Sequence, residues 1–139
     1  LRAVSDAQLI DFVEAQKEGL DYPTTQRGGN LSGGQKQRLA IARALLKPAA
    51  IYIFDDSFSA LDFLTESRLR ACLAERLKGK TQIIVTQRVT TAMNCDKIYV
   101  FDGGRIDACG THEELMRSCG IYREIYLSQT RRSAPETGR

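Results

Sequence analysis

The 139-residue sequence has one histidine, and no apolar run in it approaches the roughly 20 residues a membrane-spanning helix requires. No signal-peptide pattern opens the chain. Its four cysteines, Cys72, Cys95, Cys109 and Cys119, include no CxxC pair, and the single histidine is not at metal-ligand spacing from them. That argues against a zinc site and for reduced, partly buried thiols in a cytosolic setting. The net charge is only +3, and no Lys/Arg block is long enough to form a nucleic-acid-binding stripe. Arg131 and Arg132 come closest, but they lie in a tail, 129–139, rich in Ser, Pro, Thr and Gly and expected to be disordered. A strict phosphate-binding P-loop, Gly, four residues, then Gly-Lys-Ser/Thr, is absent too. The chain starts at Leu1 rather than Met, as expected either of a piece of something longer or of a processed chain.

What remains is sufficient for one modest soluble domain, with 42% hydrophobic and 27% charged residues. The spacing predicts an amphipathic helix from Ser5 to Lys17, with Leu9, Phe12 and Val13 on one face. Pro and Gly make a loop of Leu20 to Asn30, and a second helix runs from Ser32 to Lys47, stopped by Pro48. The run IYIF, Ile51 to Phe54, reads as a strand buried on both faces. A helix follows from Phe63 to Lys78, with Leu64, Leu69, Leu73 and Leu77 available for one side and Gly79 as its stop. TQIIVT (Thr81 to Thr86) and KIYVF (Lys97 to Phe101) are further strands, separated by a short helix near Val89 to Asn94. DGG turns the second of them into a hairpin with RIDAC. Helices Thr111 to Ser118 and Ile121 to Ser128 close the pattern, the first opened by a capping box in THEEL. His112 is read as part of that helix start, not as a catalytic group. Strands alternating with helices argue for the α/β class, a mostly parallel sheet flanked by helices.

Two stretches carry chemistry. In LSGGQ, Leu31 to Gln35, Ser32, Gly33 and Gly34 open a long helix. Glycines let the backbone approach a ligand closely, and the Ser32 hydroxyl, the orphan N–H groups and the helix dipole would converge on one anion. A Ser-capped helix with a Gly-rich entry explains the pentapeptide equally well. The second stretch shifts the balance. Asp55 ends the IYIF strand where parallel sheets place their ligands, and a carboxylate there suits Mg²⁺. Asp56 beside it could orient water or take a proton. The simpler alternative is an acidic strand-to-helix turn with Asp62 capping the next helix. A relaxed P-loop match, AERLKGKT from Ala74 to Thr81, lies at the end of a helix and before a strand. That is the wrong end of a helix dipole for phosphate, so the match is rejected.

In this order the motifs resemble the C-terminal half of an ATP-binding cassette (ABC) nucleotide-binding domain of the exporter type, from about Asp6 to Ser128. LSGGQKQRLAIARAL resembles the family signature, IYIFDD the Walker B strand, and SALD (Ser59 to Asp62) the D-loop. VTQR falls at the switch-histidine loop, and GRIDACGTHEEL resembles the family's C-terminal stretch. The resemblance implies a P-loop NTPase-like (RecA-like) fold of which this is the C-terminal portion. Residues 1–47 would be part of the helical subdomain ending in the signature helix, and 48–128 part of the ATP-binding core. It implies ATP and Mg as cofactors, with Asp55 as the metal ligand, and a place at the cytoplasmic face of the cell membrane. The partners implied are a second nucleotide-binding domain, the upstream half of this domain, and transmembrane domains. Leu31, Ser32, Gly33, Gly34 and Gln35 would cap an ATP held by the other domain, and Ser59 and Asp62 would act in the D-loop. The family's P-loop, adenine-stacking aromatic and Q-loop are missing from these residues, so the 139-residue chain alone is expected to be inactive.

Three departures stand out. Asp56 occupies the position of the family's catalytic Glu, and Gln87 that of its switch His. A shorter carboxylate and an amide that takes up no proton near neutral pH both weaken the site lined by this Walker B, while the signature is intact. That pattern resembles the degenerate half of a heterodimeric exporter. Gln26, in TTQRG, stands where exporters usually have Glu. Two other readings remain at this level: an ABC ATPase without a transport role, and a non-enzymatic dimerisation or regulatory piece.

Overall fold

The computed structural model describes residues 1–132; the expected disorder of residues 133–139 lies outside the described residues. The described residues divide into two compact units, the first Leu1–Val85 and the second beginning at Thr86.

The first unit contains helices α1 (Arg2–Asp6), α2 (Ile10–Glu14), α3 (Gly33–Leu45) and α4 (Phe63–Arg76), and strands β1 (Ile51–Asp55) and β2 (Thr81–Val85). The expected single helix from Ser5 to Lys17 is broken in two. Gln8 takes a left-handed backbone, φ 55°, and its carbonyl accepts a hydrogen bond from Arg38 Nη1 on α3 at 3.0 Å. Leu9, just after the break, is buried, and Ala3 and Ala7 are set into the core. An Arg76–Asp6 ion pair at 3.4 Å ties α4 to α1.

β1 and β2 pair in parallel, Ile51 opposite Thr81 through Asp55 opposite Val85. Tyr52 and Phe54 point into a core shared with Ile41 and Leu45 of α3 and Leu69 and Leu73 of α4. The other face is bare, with Ile51 and Ile53 55% and 67% exposed and Ile83 and Val85 beside them at 46% and 52%. The expectation that β1 is buried on both faces is therefore corrected. Its alternate residues are apolar because that face too suits a buried sheet, but no element among the described residues of this unit covers it. On α4 the seam is Leu69, Leu73 and Leu77, spaced by four, whereas Leu64 falls outside it and is exposed.

The second unit holds α5 (Val89–Ala92), β3 (Ile98–Asp102), β4 (Arg105–Gly110), α6 (His112–Ser118) and α7 (Gly120–Arg132). Gly103 and Gly104, both at positive φ (52° and 77°), form the two-residue turn that makes β3 and β4 an antiparallel hairpin. Val100, Leu115 and Tyr122 are among the residues of its core. The expected capping box is present, Thr111 Oγ1 accepting from Glu114 N and Glu114 Oε2 from Thr111 N. His112 Nδ1 lies 2.9 Å from Tyr122 Oη, a structural contact within this unit. None of the four cysteines forms a disulfide.

The two faces of β1 give a direct test. Leu69→Ala, at a position with no exposed area, should lower the unfolding free energy of this chain by about 2–5 kcal/mol in a urea titration. Ile53→Ala should change it by about 0.5 kcal/mol or less.

Candidate functional site

The LSGGQ segment is held from both sides. Leu31 is buried, and Ser32 adopts the extended backbone of a helix N-cap. Ser32 Oγ accepts from Gln35 N at 3.2 Å, and Gln35 Oε1 accepts from Ser32 N at 2.7 Å. This is a complete capping box, and both polar side chains of the pentapeptide are committed to the helix's own first turn. Among the described residues no hydrogen bond engages the Gly33 or Gly34 N–H, so these two donors and the positive end of α3 face outward.

The glycines have a second role that spacing did not reveal. A Cβ on Gly34 would lie 3.1 Å from the Ala60 carbonyl oxygen and 3.3 Å from Leu61 Cδ2, and one on Gly33 would lie 3.4 Å from Ala60 Cβ. The loop after β1 crowds a side chain at 34, whereas one at 33 would meet it at ordinary contact distance. The two motifs therefore form one structure, and a cleft of about 350 Å³ opens between them, lined by Ser32, Gly33, Gly34, Arg38, Ala60, Leu61, Asp62 and Thr65.

The loop itself begins at Asp55, exposed at the C-terminal end of β1. Asp56 has a left-handed backbone, φ 47°, and its N–H extends the sheet pairing by donating to Val85 O at 3.0 Å. Its carbonyl oxygen accepts from Ser59 N at 3.3 Å, Ser59 Oγ at 3.0 Å and Gln37 Nε2 at 3.1 Å. A left-handed φ strains most L-residues and is best tolerated by Asp or Asn. Phe58 and Leu61 anchor the loop in the core. Its carboxylates at 55 and 56 take no hydrogen bond or ion pair from the described residues, which leaves them available to a ligand. No cluster of three or more His, Cys, Asp or Glu occurs among the described residues. Two exposed carboxylates at a strand end are of the kind that can hold a Mg²⁺ together with a substrate's phosphates.

Asp62 caps α4, its Oδ1 accepting from Thr65 N at 2.9 Å. The Thr65 hydroxyl first, and the Thr65 N–H next, hold its carboxyl below the ordinary range. Gln87 is in the second unit, with an exposed side chain. Its carbonyl accepts from Gln129 Nε2 at 2.7 Å, and Gln129 Oε1 accepts from Val89 N at 2.9 Å. Residues 129–132, expected in a disordered tail, thus belong to α7. Gln129 is pinned because its amide satisfies both sides of the Gln87–Val89 turn. Gln37 and Gln129 are the site-shaping residues that sequence reasoning missed. For Gln37 a signal existed: it lies four residues after Gly33 and three after Gly34, hence on the same helical face. Gln129 offered none.

AERLKGKT lies at the C-terminal end of α4, with Gly79 at φ 75° entering β2, as its rejection as a phosphate loop requires.

A pH titration tests the Asp62 cap. A carboxyl whose folded pKa is lowered contributes stability that is full above the unfolded value of about 3.9 and is lost as pH falls through the folded value. The acid limb of this chain's stability curve should flatten in Asp62→Asn, while neutral-pH stability changes little because Asn also caps.

The ABC transporter family model matches residues 4–59. The chain is 46% identical over 130 residues to the ABC multidrug transporter mdr1 of Aspergillus fumigatus, covering 94% of this chain and 10% of that protein. It is 46% identical over 125 residues to the ATP-dependent lipid A-core flippase of Albidiferax ferrireducens, covering 90% of this chain and 22% of that one. Among solved structures, a bacterial Atm1-family ABC exporter with ATP bound superposes with a TM-score of 0.90 at 37% identity, over 93% of this chain and 23% of that chain. The chain thus spans between a tenth and a quarter of the length of these relatives. Among the described residues no helix is long and apolar enough to cross a membrane. With the LSGGQ helix, the acidic strand end and the loop between them joined in one α/β unit, the chain belongs to the ABC transporter family.

Proposed function

We propose that this chain is the C-terminal part of an exporter-type nucleotide-binding domain whose LSGGQ segment closes over an ATP bound by a second such domain. The observation that carries the reading is the cleft beside Ser32, Gly33 and Gly34. It presents two unengaged backbone N–H groups, a helix N-terminus and the Arg38 side chain to one space, and the 139 residues contain no P-loop of their own to fill it. The bare face of β1 and β2, with Ile51, Ile53, Ile83 and Val85 exposed, supports a larger domain in which an upstream segment packs against it. In that domain Asp55 would hold Mg²⁺, which neutralises charge developing on the phosphates. The domain would sit at the cytoplasmic face of a membrane, next to transmembrane segments that couple ATP use to export.

The site lined by Asp55 and Asp56 binds Mg-ATP in this reading but hydrolyses it slowly. Asp56 holds its carboxylate one methylene closer to the backbone than a glutamate would, and a misplacement of about 1 Å can cost on the order of 100-fold in rate. Gln87 can donate a hydrogen bond to a γ-phosphate but cannot cycle a proton near neutral pH. Ser59 and Asp62 would carry the contacts of the D-loop, and the intact signature would complete a competent site on a heterodimeric partner.

Single-turnover hydrolysis in the assembled heterodimer tests this assignment. The expected result is retained, slowly cleaved ATP at the Asp55–Asp56 site and fast turnover at the other; undiminished cleavage at Asp55–Asp56 would sink the degenerate-site reading. The isolated 139-residue chain should show no shift of its thermal midpoint with Mg-ATP, since the phosphate-binding half of its own site is not among these residues. A stabilisation of several degrees would contradict that.

A further inference from the structure

The amide of Gln37 uses both of its ends on one loop. Its Oε1 accepts from Ala60 N at 2.9 Å, while its Nε2 donates to Asp56 O at 3.1 Å and to Ser59 Oγ at 2.9 Å. Ser59 Oγ in turn donates to the same Asp56 carbonyl at 3.0 Å. The side chain starts one turn into α3, directly behind Gly33 and Gly34, and ends beneath the strained backbone of Asp56, φ 47°. We infer that Gln37 is a positioning residue that locks the LSGGQ helix to the loop carrying Asp56, so that a displacement of the one is transmitted to the other.

The chemistry restricts this task to an amide. Reversing the amide would turn its NH₂ group toward the Ala60 N–H, donor against donor, and its oxygen toward the Asp56 carbonyl, acceptor against acceptor. The network therefore sets the orientation. A glutamate has nearly the same shape and could still accept from Ala60 N, but as a carboxylate it would face the Asp56 carbonyl with no proton to give. The contacts of Gly33 and Gly34 with Ala60 bring the two backbones together without fixing their register along the contact. The directional bonds of Gln37 supply that register. In the reading proposed above, the helix end would serve the partner's ATP and the loop end this domain's own metal and base. Gln37 would then join the two ATP sites through a single side chain, and this consequence rests on that reading.

The test uses the full transporter with Gln37→Leu and Gln37→Glu, and Ser59→Ala alone and combined with each. The first measurement is hydrogen exchange of peptides spanning Ser59 to Leu61. Gln37→Leu, which leaves the Ala60 N–H without its acceptor, should speed exchange there about 10-fold or more, with protection in β1 and α4 unchanged. Unchanged exchange at Ser59 to Leu61 would overturn the anchor, whatever the protein's activity. The second measurement is steady-state ATP hydrolysis. A drop in kcat of about 10-fold, with KM for ATP within about two-fold, is expected for Glu as well as for Leu, as in other losses of about 1 Å in placement. A structural, space-filling role would spare the near-isosteric Glu variant. Wild-type kcat in Gln37→Glu, or effects of Gln37→Leu and Ser59→Ala that simply multiply, would overturn the positioning role. A wild-type transporter that neither binds nor hydrolyses ATP would count against the functional reading, and the exchange measurement would still decide the anchor.

Discussion

The close approach between the first turn of α3 and the loop after β1 is the constraint on which the first unit depends. A Cβ on Gly34 would be 3.1 Å from Ala60 O, tighter than most Cβ contacts, so a side chain there would push the loop back by a few tenths of an ångström before any ligand enters. Once the backbones are that near, Phe58 and Leu61 can be buried on either side of the contact, and Gln37 can reach across it. The glycines of LSGGQ thus serve the packing of the helix end against the loop, and in the proposed function they would also let a ligand approach. A pattern with two simultaneous physical demands tolerates little change.

The strand end shows how backbone and side chain divide the work. The left-handed turn at Asp56 is fastened by its N–H to β2 and by three donors on its carbonyl, so its strain is offset by neighbouring hydrogen bonds. The carboxylates of Asp55 and Asp56 are left outside this network, pointing away from any bond within the unit. A rigid main chain with unspent carboxylate acceptors is an arrangement that suits a bound cation. Aspartate at 56 suits the backbone, and its short reach is what separates this loop from one bearing glutamate.

Local features were legible in the residues. Thr111 with Glu114, the two glycines of the hairpin turn, the Ser32 entry to α3 and the apolar strand ending in Asp55 all act within a few positions of chain. Where the sequence misled, a distant contact had won. Gln8 breaks the first helix where Arg38 takes its carbonyl, and Leu64 is exposed because the seam of α4 follows Leu69, Leu73 and Leu77. Gln129 is helical where composition suggests a loose tail, because Gln87 and Val89 need its amide.

By itself the sequence determined the kinds of element, their caps and turns, and the position of LSGGQ at a helix start and of Asp55 at a strand end, since each depends on neighbours within about one helical turn. Only the tertiary structure decided that LSGGQ and the Ser59–Asp62 loop form one body, that Gln37 binds them, and that one face of β1 is left bare. Those outcomes depend on which surfaces meet, and residues 22 and 23 positions apart carry no mutual signal in a single chain until folding brings them within hydrogen-bond distance.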